Sequence, residues 1–312
     1  MMKILRTVVL LAAAVLLMAA ASQSAEFFGS MSAARRASYE AAALRIWEGR
    51  APMATGDTAA DCPLLYPVLP PKGAKPVGAV IVFPGGGYNS HAAHEAFPIA
   101  EYFRKQGLAA FVLKYRLNPY SRDVSLQDAR RAVRLLRACS AKFGIDPDKI
   151  AVIGFSAGGH LAANLSTHAD DGFKGAVDPV DRQSCRPRTA LLVYPGIVYA
   201  PIRRDTLADR SLAGLFARDG LHRAVNAATP PTFLIVGYDD DRALYEHCFA
   251  YAGKLHEAGV RFELHIHGYG GHGFGMRGTD PRLRAWPQLA VNWLETCGFS
   301  SAGSTADGST SK

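Results

Sequence analysis

Short unbroken apolar runs alternate along the chain with stretches whose apolar residues recur at helical spacing. Ala79–Phe83, Ala109–Tyr115, Ile150–Gly154, Ala190–Tyr194 and Pro231–Val236 each read as a strand buried on both faces, and Arg261–His267 as a further strand. Ala93–Gln106 reads as a helix closed by Gly107, Arg242–Ala258 as one closed by Gly259, and Leu283–Thr296 as a last helix whose Trp286 and Trp293 face the sheet. Ser125-Leu-Gln-Asp128 has the form of a capping box. It is expected to open a helix with Ala129, Val133, Leu136 and Ala138 or Cys139 on one stripe, ended by Gly144-Ile-Asp-Pro-Asp148. Upstream, Ser32–Glu48 favours a helix with Tyr39, Leu44 and Trp47 on a common face, and Ala51–Asp61 a loop. Leu64–Leu69 reads as an edge strand, because Pro67 brings no N–H to a ladder. Strand and helix in alternation predict an α/β fold: a mostly parallel central sheet with helices on both faces. Ligands of such sheets meet the loops at the carboxyl ends of the strands.

Composition narrows this picture at the ends of the chain. Lys3 and Arg6 precede Val8–Ala21, an unbroken apolar run, and small residues follow to Ala25. That run is about 14 residues, short of the roughly 20 that span a bilayer. Residues 1–25 therefore read as a signal peptide, and the protein as exported, to the periplasm or outside the cell, with no stable membrane insertion once the signal is removed. An uncleaved anchor is the alternative. Residues 26–77 read as an N-terminal helix and edge segment, 78–299 as the catalytic domain, and the Ser/Gly/Thr-rich 300–312 as a disordered tail. Pro195–Ala228 lacks strong periodicity and contains Arg203, Arg204, Leu212, Leu215 and Phe216, which points to a cap or substrate-facing insertion.

The formal charge of +8 is spread along the 312 residues without a long Lys/Arg run or aromatic–basic interleaving, which argues against nucleic-acid binding. The five cysteines allow at most two disulfides with one thiol left over, and Cys139 and Cys248 fall on helical apolar stripes as small buried hydrophobes. No C-x-x-C or Cys/His cluster suggests a structural metal, and no cofactor is expected.

The chemistry gathers at three of the strand ends. Ile150-Ala-Val-Ile-Gly154 runs into Phe155-Ser156-Ala-Gly-Gly159, and Gly154-Phe-Ser-Ala-Gly158 fits the G-x-S-x-G nucleophile elbow. A serine on so tight a turn holds its hydroxyl above the sheet, and the Ala157 N–H at the helix start can face an oxyanion. The base expected for such a serine is His272, in the glycine-rich loop Gly270-Gly-His-Gly-Phe-Gly275 after the last strand. Of the ten histidines, His265 and His267 alternate along a strand, His160 packs or caps the elbow helix, and His168, His222 and His256 read as surface positions. His91 and His94 lie just past a glycine loop, in position to line a pocket. The carboxylate that orients the base belongs in Asp239-Asp240-Asp241, after Phe233–Val236. Asp241 can cap the following helix and Asp239 can hold the turn, which leaves Asp240 as the preferred partner of the imidazole. Pro84-Gly85-Gly86-Gly87-Tyr88 ends an earlier strand, and its Gly86 and Gly87 N–H groups are the remaining oxyanion donors. Tyr88, Asn89, His94 and Arg116 are candidate pocket-lining groups.

Taken in order, Pro84–Tyr88, His94-Glu95, Leu113–Leu117, Gly154–Leu161, the aspartate loop and Gly271–Gly275 resemble α/β-hydrolases of the acetyl esterase and acetyl xylan esterase-like type. The resemblance runs from about Gly78 to Gly298. It implies the α/β-hydrolase fold and a serine esterase with Ser156, Asp240 and His272 as its triad. Its substrate would be a small ester or an acetylated carbohydrate, acetyl on xylan-type polysaccharide or its oligosaccharides foremost. The usual aspartate position of the family falls on Asp240. Where that family often has Val and Pro after the aspartate loop, this chain has Arg242-Ala-Leu-Tyr245. A prolyl-oligopeptidase-like peptidase and a feruloyl esterase are the neighbouring enzymatic readings, and a catalytically silent α/β-hydrolase used as a binding protein is the rival from another class.

Overall fold

The computed structural model describes residues 27–71, 73, 77–198, 220–242, 245–278 and 280–300. The proposed signal segment, the tail after 300, and Arg203, Arg204, Leu212, Leu215 and Phe216 lie outside the described residues.

In chain order the elements are α1 (Ala33–Ala42), β1 (Leu44–Arg45), β2 (Leu64–Val68), β3 (Val77–Phe83), α2 (Phe97–Lys105), β4 (Ala109–Lys114), α3 (Arg122–Ala138), β5 (Ile145–Phe155), α4 (Ala157–Thr167), β6 (Thr189–Val193), β7 (Thr232–Gly237), α5 (Tyr245–Glu257), β8 (Phe262–His267) and α6 (Trp286–Thr296). Single turns at Ala93–Glu95, Ser140–Phe143, Leu221–Ala224 and Pro281–Arg284 complete them. The strands form one sheet in the order β1-β2-β4-β3-β5-β6-β7-β8. From β4 to β8 every neighbour is parallel, while β2 runs antiparallel to both β1 and β4.

That order decides where the helices go. The step from β3 to β4 moves one way along the sheet, and the steps from β4 to β5 and on to β8 move the other way. Right-handed crossovers then place α2 on one face and α3, α4 and α5 on the opposite face. Helix α6 joins α2, with Tyr102 Oη donating to Gln288 Oε1 at 3.4 Å. Because both faces are covered, β3, β4, β6, β7 and the Ile150–Phe155 part of β5 are almost wholly buried, which is why these stretches are apolar runs in the sequence. Strand β8 closes the sheet as an edge: its residues are half-buried, and Glu263, His265 and His267 alternate with Phe262, Leu264 and Ile266. At the other end the two-residue β1 pairs only with Leu64 and Leu65. The missing N–H of Pro67 therefore faces no strand beyond β2.

Several expectations change. The first helix stops at Ala42, and Leu44 turns into β1, so Tyr39 and Trp47 do not share one helical face. Strand β5 starts at Ile145, not Ile150. Helix α3 starts at Arg122, one turn before Ser125-Leu-Gln-Asp128, so those four residues are no capping box. Ser125, Leu126 and Asp128 are buried inside the helix, where Ser125 Oγ donates to the Arg116 carbonyl at 2.7 Å. The Asp128 carboxylate accepts from Arg116 Nε (2.9 Å), Nη2 (2.7 Å) and N (3.0 Å) and from Trp47 Nε1 (3.0 Å). Cys248 is buried as expected, but Cys139 is only half-buried, and all five cysteines are free thiols. His222, read as a surface position, is fully buried. Among the described residues no helix is long and apolar enough to cross a membrane.

Candidate active site

Strand β5 ends at Phe155, and the chain turns through Ser156 at φ 50° and ψ −113° directly into α4. A positive φ is costly for serine, and such backbone strain clusters at functional sites. The turn closes because α4 lies against the sheet: a Cβ on Gly158 would overlap the carbonyl oxygens of Phe83 and Pro84. Ser156 N donates to the Val193 carbonyl at 3.0 Å, which fixes the serine between β5 and β6.

Three loops at the carboxyl rim of the sheet converge on this serine. From the end of β8, His272 brings Nε2 to 2.8 Å from Ser156 Oγ. Its Nδ1 lies 2.8 Å from Asp240 Oδ2 and 3.1 Å from Oδ1. A carboxylate only accepts, so Nδ1 carries the proton and Nε2 is free to accept from the serine hydroxyl. Asp240, after β7, is 1% exposed and is held in turn by the Arg242 N–H at 2.8 Å. Asp239 faces elsewhere: its Oδ1 accepts from Gly271 N at 2.8 Å and ties the two loops together. Asp241 is exposed.

The glycine loop after β3 forms the third wall. Gly86 (φ 126°) and Gly87 (φ 65°) lie in the region that favours glycine, and a Cβ on Gly86 would overlap the Ser90 carbonyl. Both glycines line a cleft of about 560 Å³ together with Ser156, Ala157 and His272. Among the described residues the N–H groups of Gly86, Gly87 and Ala157 take no part in the hydrogen bonds of the fold. They are available to an oxygen bound beside Ser156 Oγ.

Of the four candidate pocket residues, Asn89 and His94 line this cleft. His94 Nε2 donates to the Gly273 carbonyl at 3.0 Å. Tyr88 and Arg116 do not line it. Tyr88 is buried, with its hydroxyl 2.8 Å from His160 Nδ1. The Arg116 side chain is wholly buried against Asp128 and donates from Nη1 to the Pro52 carbonyl at 2.6 Å. Its charge is consumed in joining β4 to α3, and it does not reach substrate. His91, also placed near the pocket by the sequence, is buried between Phe27 and Tyr115, where burial and then the Lys114 charge bring its pKa down to about 3. Burial, with the Arg122 cation, does the same to His160.

Sequence reasoning assigned no role to three residues at this site. Arg242 stands exposed on the cleft wall. Glu95 is 2% exposed and accepts from Gly85 N at 2.8 Å and from Tyr194 Oη at 2.7 Å. Tyr194, at φ 37° just past β6, holds its ring 5.1 Å from that of His272. Burial, with the Glu95 charge, raises the Tyr194 phenol far above its usual range, so the hydroxyl remains a donor. The pairing His94-Glu95 is visible in the sequence, but nothing local marks the carboxylate as buried.

The geometry has counterparts among known proteins. A family model described as BD-FAE matches residues 66–191. The chain is 33% identical over 220 residues to endo-1,4-beta-xylanase B of Butyrivibrio fibrisolvens, covering 66% of this chain and 34% of that protein. It is 28% identical over 232 residues to the acetylxylan esterase of Xylanibacter ruminicola, covering 70% and 45%. The chain thus spans between a third and a half of the length of these curated relatives. The solved structure of an acetyl ester-xyloside bifunctional hydrolase from Caldicellulosiruptor lactoaceticus superposes with a TM-score of 0.73 at 38% identity, covering 82% of this chain and 96% of that one. The carboxylesterase Cest-2923 from Lactobacillus plantarum shares the fold, with a TM-score of 0.63 at 24% identity. With a match at this identity over nearly the whole of a solved relative, the chain belongs to the α/β-hydrolase esterases, a family of carboxylic ester hydrolases.

Proposed function

We propose that the protein is an exported serine esterase that removes small acyl groups, acetyl foremost, from xylan-type polysaccharide or its oligosaccharides. The observation that supports this reading most directly is the unbroken run of short contacts from Asp240 through His272 to Ser156. In the proposed reaction Ser156 Oγ attacks the ester carbonyl while its proton passes to His272 Nε2, and the Asp240 carboxylate stabilises the imidazolium. The carbonyl oxygen becomes an oxyanion that accepts from the N–H groups of Gly86, Gly87 and Ala157. Each such donor contributes roughly 2.7–4 kcal/mol to the transition state. Collapse breaks the bond to the alcohol oxygen, which leaves with the proton from His272. Water then attacks the acyl-serine, gives its proton to His272, and the acid departs as Ser156 recovers its hydrogen. Export rests on residues 1–25 of the sequence, and the acetylated-xylan preference on the names of the relatives.

The test is acetate release from acetylated xylan and from p-nitrophenyl acetate by the protein and by Ser156→Ala. Release from both by the unaltered protein alone is expected. Cleavage of the small ester only would remove the xylan assignment. No cleavage of either, with no labelling of Ser156 by a fluorophosphonate, would end the esterase reading.

A further inference from the structure

Glu95 is a buried carboxylate that the proposed reaction does not use, yet it meets both the glycine loop and, through Tyr194, the histidine loop. Its Oε2 accepts from Gly85 N, and a Cβ at Gly85 would stand 2.5 Å from that same oxygen and 3.0 Å from the Cβ of Ser156. Gly85 is thus held between Glu95 and the serine, with Gly86 and Gly87 leaving it on the cleft side. On its other oxygen Glu95 accepts from Tyr194 Oη, which itself accepts from Gly275 N at 3.0 Å. The Tyr194 ring packs on His272 and, at 4.5 Å, on Phe274. Beside the carboxylate, His94 Nε2 lies 3.4 Å from Glu95 Oε1 while donating to the Gly273 carbonyl. One carboxylate therefore joins the loop that carries the oxyanion donors to the loop that carries the base.

From this geometry we infer that Glu95 is the positioning residue of the site, acting through Gly85 on the oxyanion loop and through Tyr194 on the histidine loop. The inference rests on the esterase reading above. A carboxylate suits the task because it accepts at both oxygens and so serves an N–H on one side and an O–H on the other without a donor of its own to satisfy. Loops that lack strand partners need such a fixed point, since donors misplaced by even a fraction of an ångström no longer meet the charge that develops in the transition state.

The test compares kcat and KM for p-nitrophenyl acetate in Glu95→Ala, Glu95→Gln and Tyr194→Phe, with kcat counted per fluorophosphonate-titrated site. Glu95→Ala is expected to lower kcat by about 10²-fold, the scale of one lost oxyanion donor, with KM within a few-fold. Glu95→Gln keeps an acceptor for only one of the two donors, Gly85 N or Tyr194 Oη, and is expected to recover part of that loss. Tyr194→Phe keeps the ring and removes one arm, so a smaller fall in kcat is expected; it also serves if Glu95→Ala fails to fold. Unchanged kcat per titrated site in both Glu95→Ala and Tyr194→Phe would reduce Glu95 to a core contact. That result overturns the inference while leaving the esterase reading intact. An inactive and unlabelled unaltered protein would overturn both.

Discussion

Three consecutive aspartates end in three different environments. Asp241 faces solvent, Asp239 holds a backbone N–H of the neighbouring loop, and Asp240 is buried against an imidazole. Only the last has a charge that a developing imidazolium would feel at close range. Asp240→Asn keeps the shape but offers an amide where Nδ1–H needs an acceptor, and the ring can turn to the wrong tautomer. It is expected to lower kcat by about 10⁴-fold with KM nearly unchanged. Asp239→Asn keeps an accepting oxygen for Gly271 N and is expected to cost less than about tenfold. Steady-state kinetics of the two variants side by side checks this, and equal losses would move the orienting role away from Asp240.

At the scale of elements, β4 and α3 are joined by a buried ion pair. Arg116 and Asp128 are each fully buried in their side chains, and Trp47 and the Pro52 carbonyl from the N-terminal segment add to the same knot. Removing one partner strands the other charge away from water. Asp128→Ala is expected to lose about 3–5 kcal/mol of stability, read as a fall in the urea midpoint, with kcat per folded molecule unchanged because the pair lies off the cleft. The same pair explains what the sequence conceals. Strands β3 to β7 are legible because burial on both faces makes their central stretches apolar. Ser125 and Asp128 imitate a helix cap because both are polar at cap spacing, whereas their partner is a backbone and side chain at Arg116, reached through a turn that no periodicity records. The site divides in the same way. Ser156 and His272 stand out because tight turns demand glycines around them. Glu95 is silent because the group it serves, Tyr194, lies 99 positions away along the chain and meets it only once β6 has joined the sheet.

The whole molecule carries histidines that burial keeps neutral. His91 and His160 each titrate near pH 3 when folded, against an ordinary value of 6.5. Between those values the unfolded chain binds protons that the folded chain refuses. Stability therefore falls as pH drops below 6.5, by roughly 1.4 kcal/mol per pH unit for each histidine. The depressed carboxylates act lower on the scale. Asp61 and Glu101 are shifted to about 2 by their hydrogen-bond partners despite burial, so their stabilisation is present above the ordinary carboxylate range and is lost only as pH falls towards 2. Urea midpoints at pH 7, 6 and 5 should decline steadily with activity still recoverable on return to pH 7. A flat profile over that window would mean that the two rings are not buried in solution.

Among the described residues the six parallel strands all point their carboxyl ends at the cleft, so the turns that feed their amino ends, such as Gly144 before β5 and Gly259 before β8, lie on the far side of the sheet. This gives the molecule a working end and a handling end. A linker, an affinity tag inserted at the Gly259 turn, or a support coupled to the exposed Lys142 beside Gly144 would sit on the side of the sheet away from Ser156.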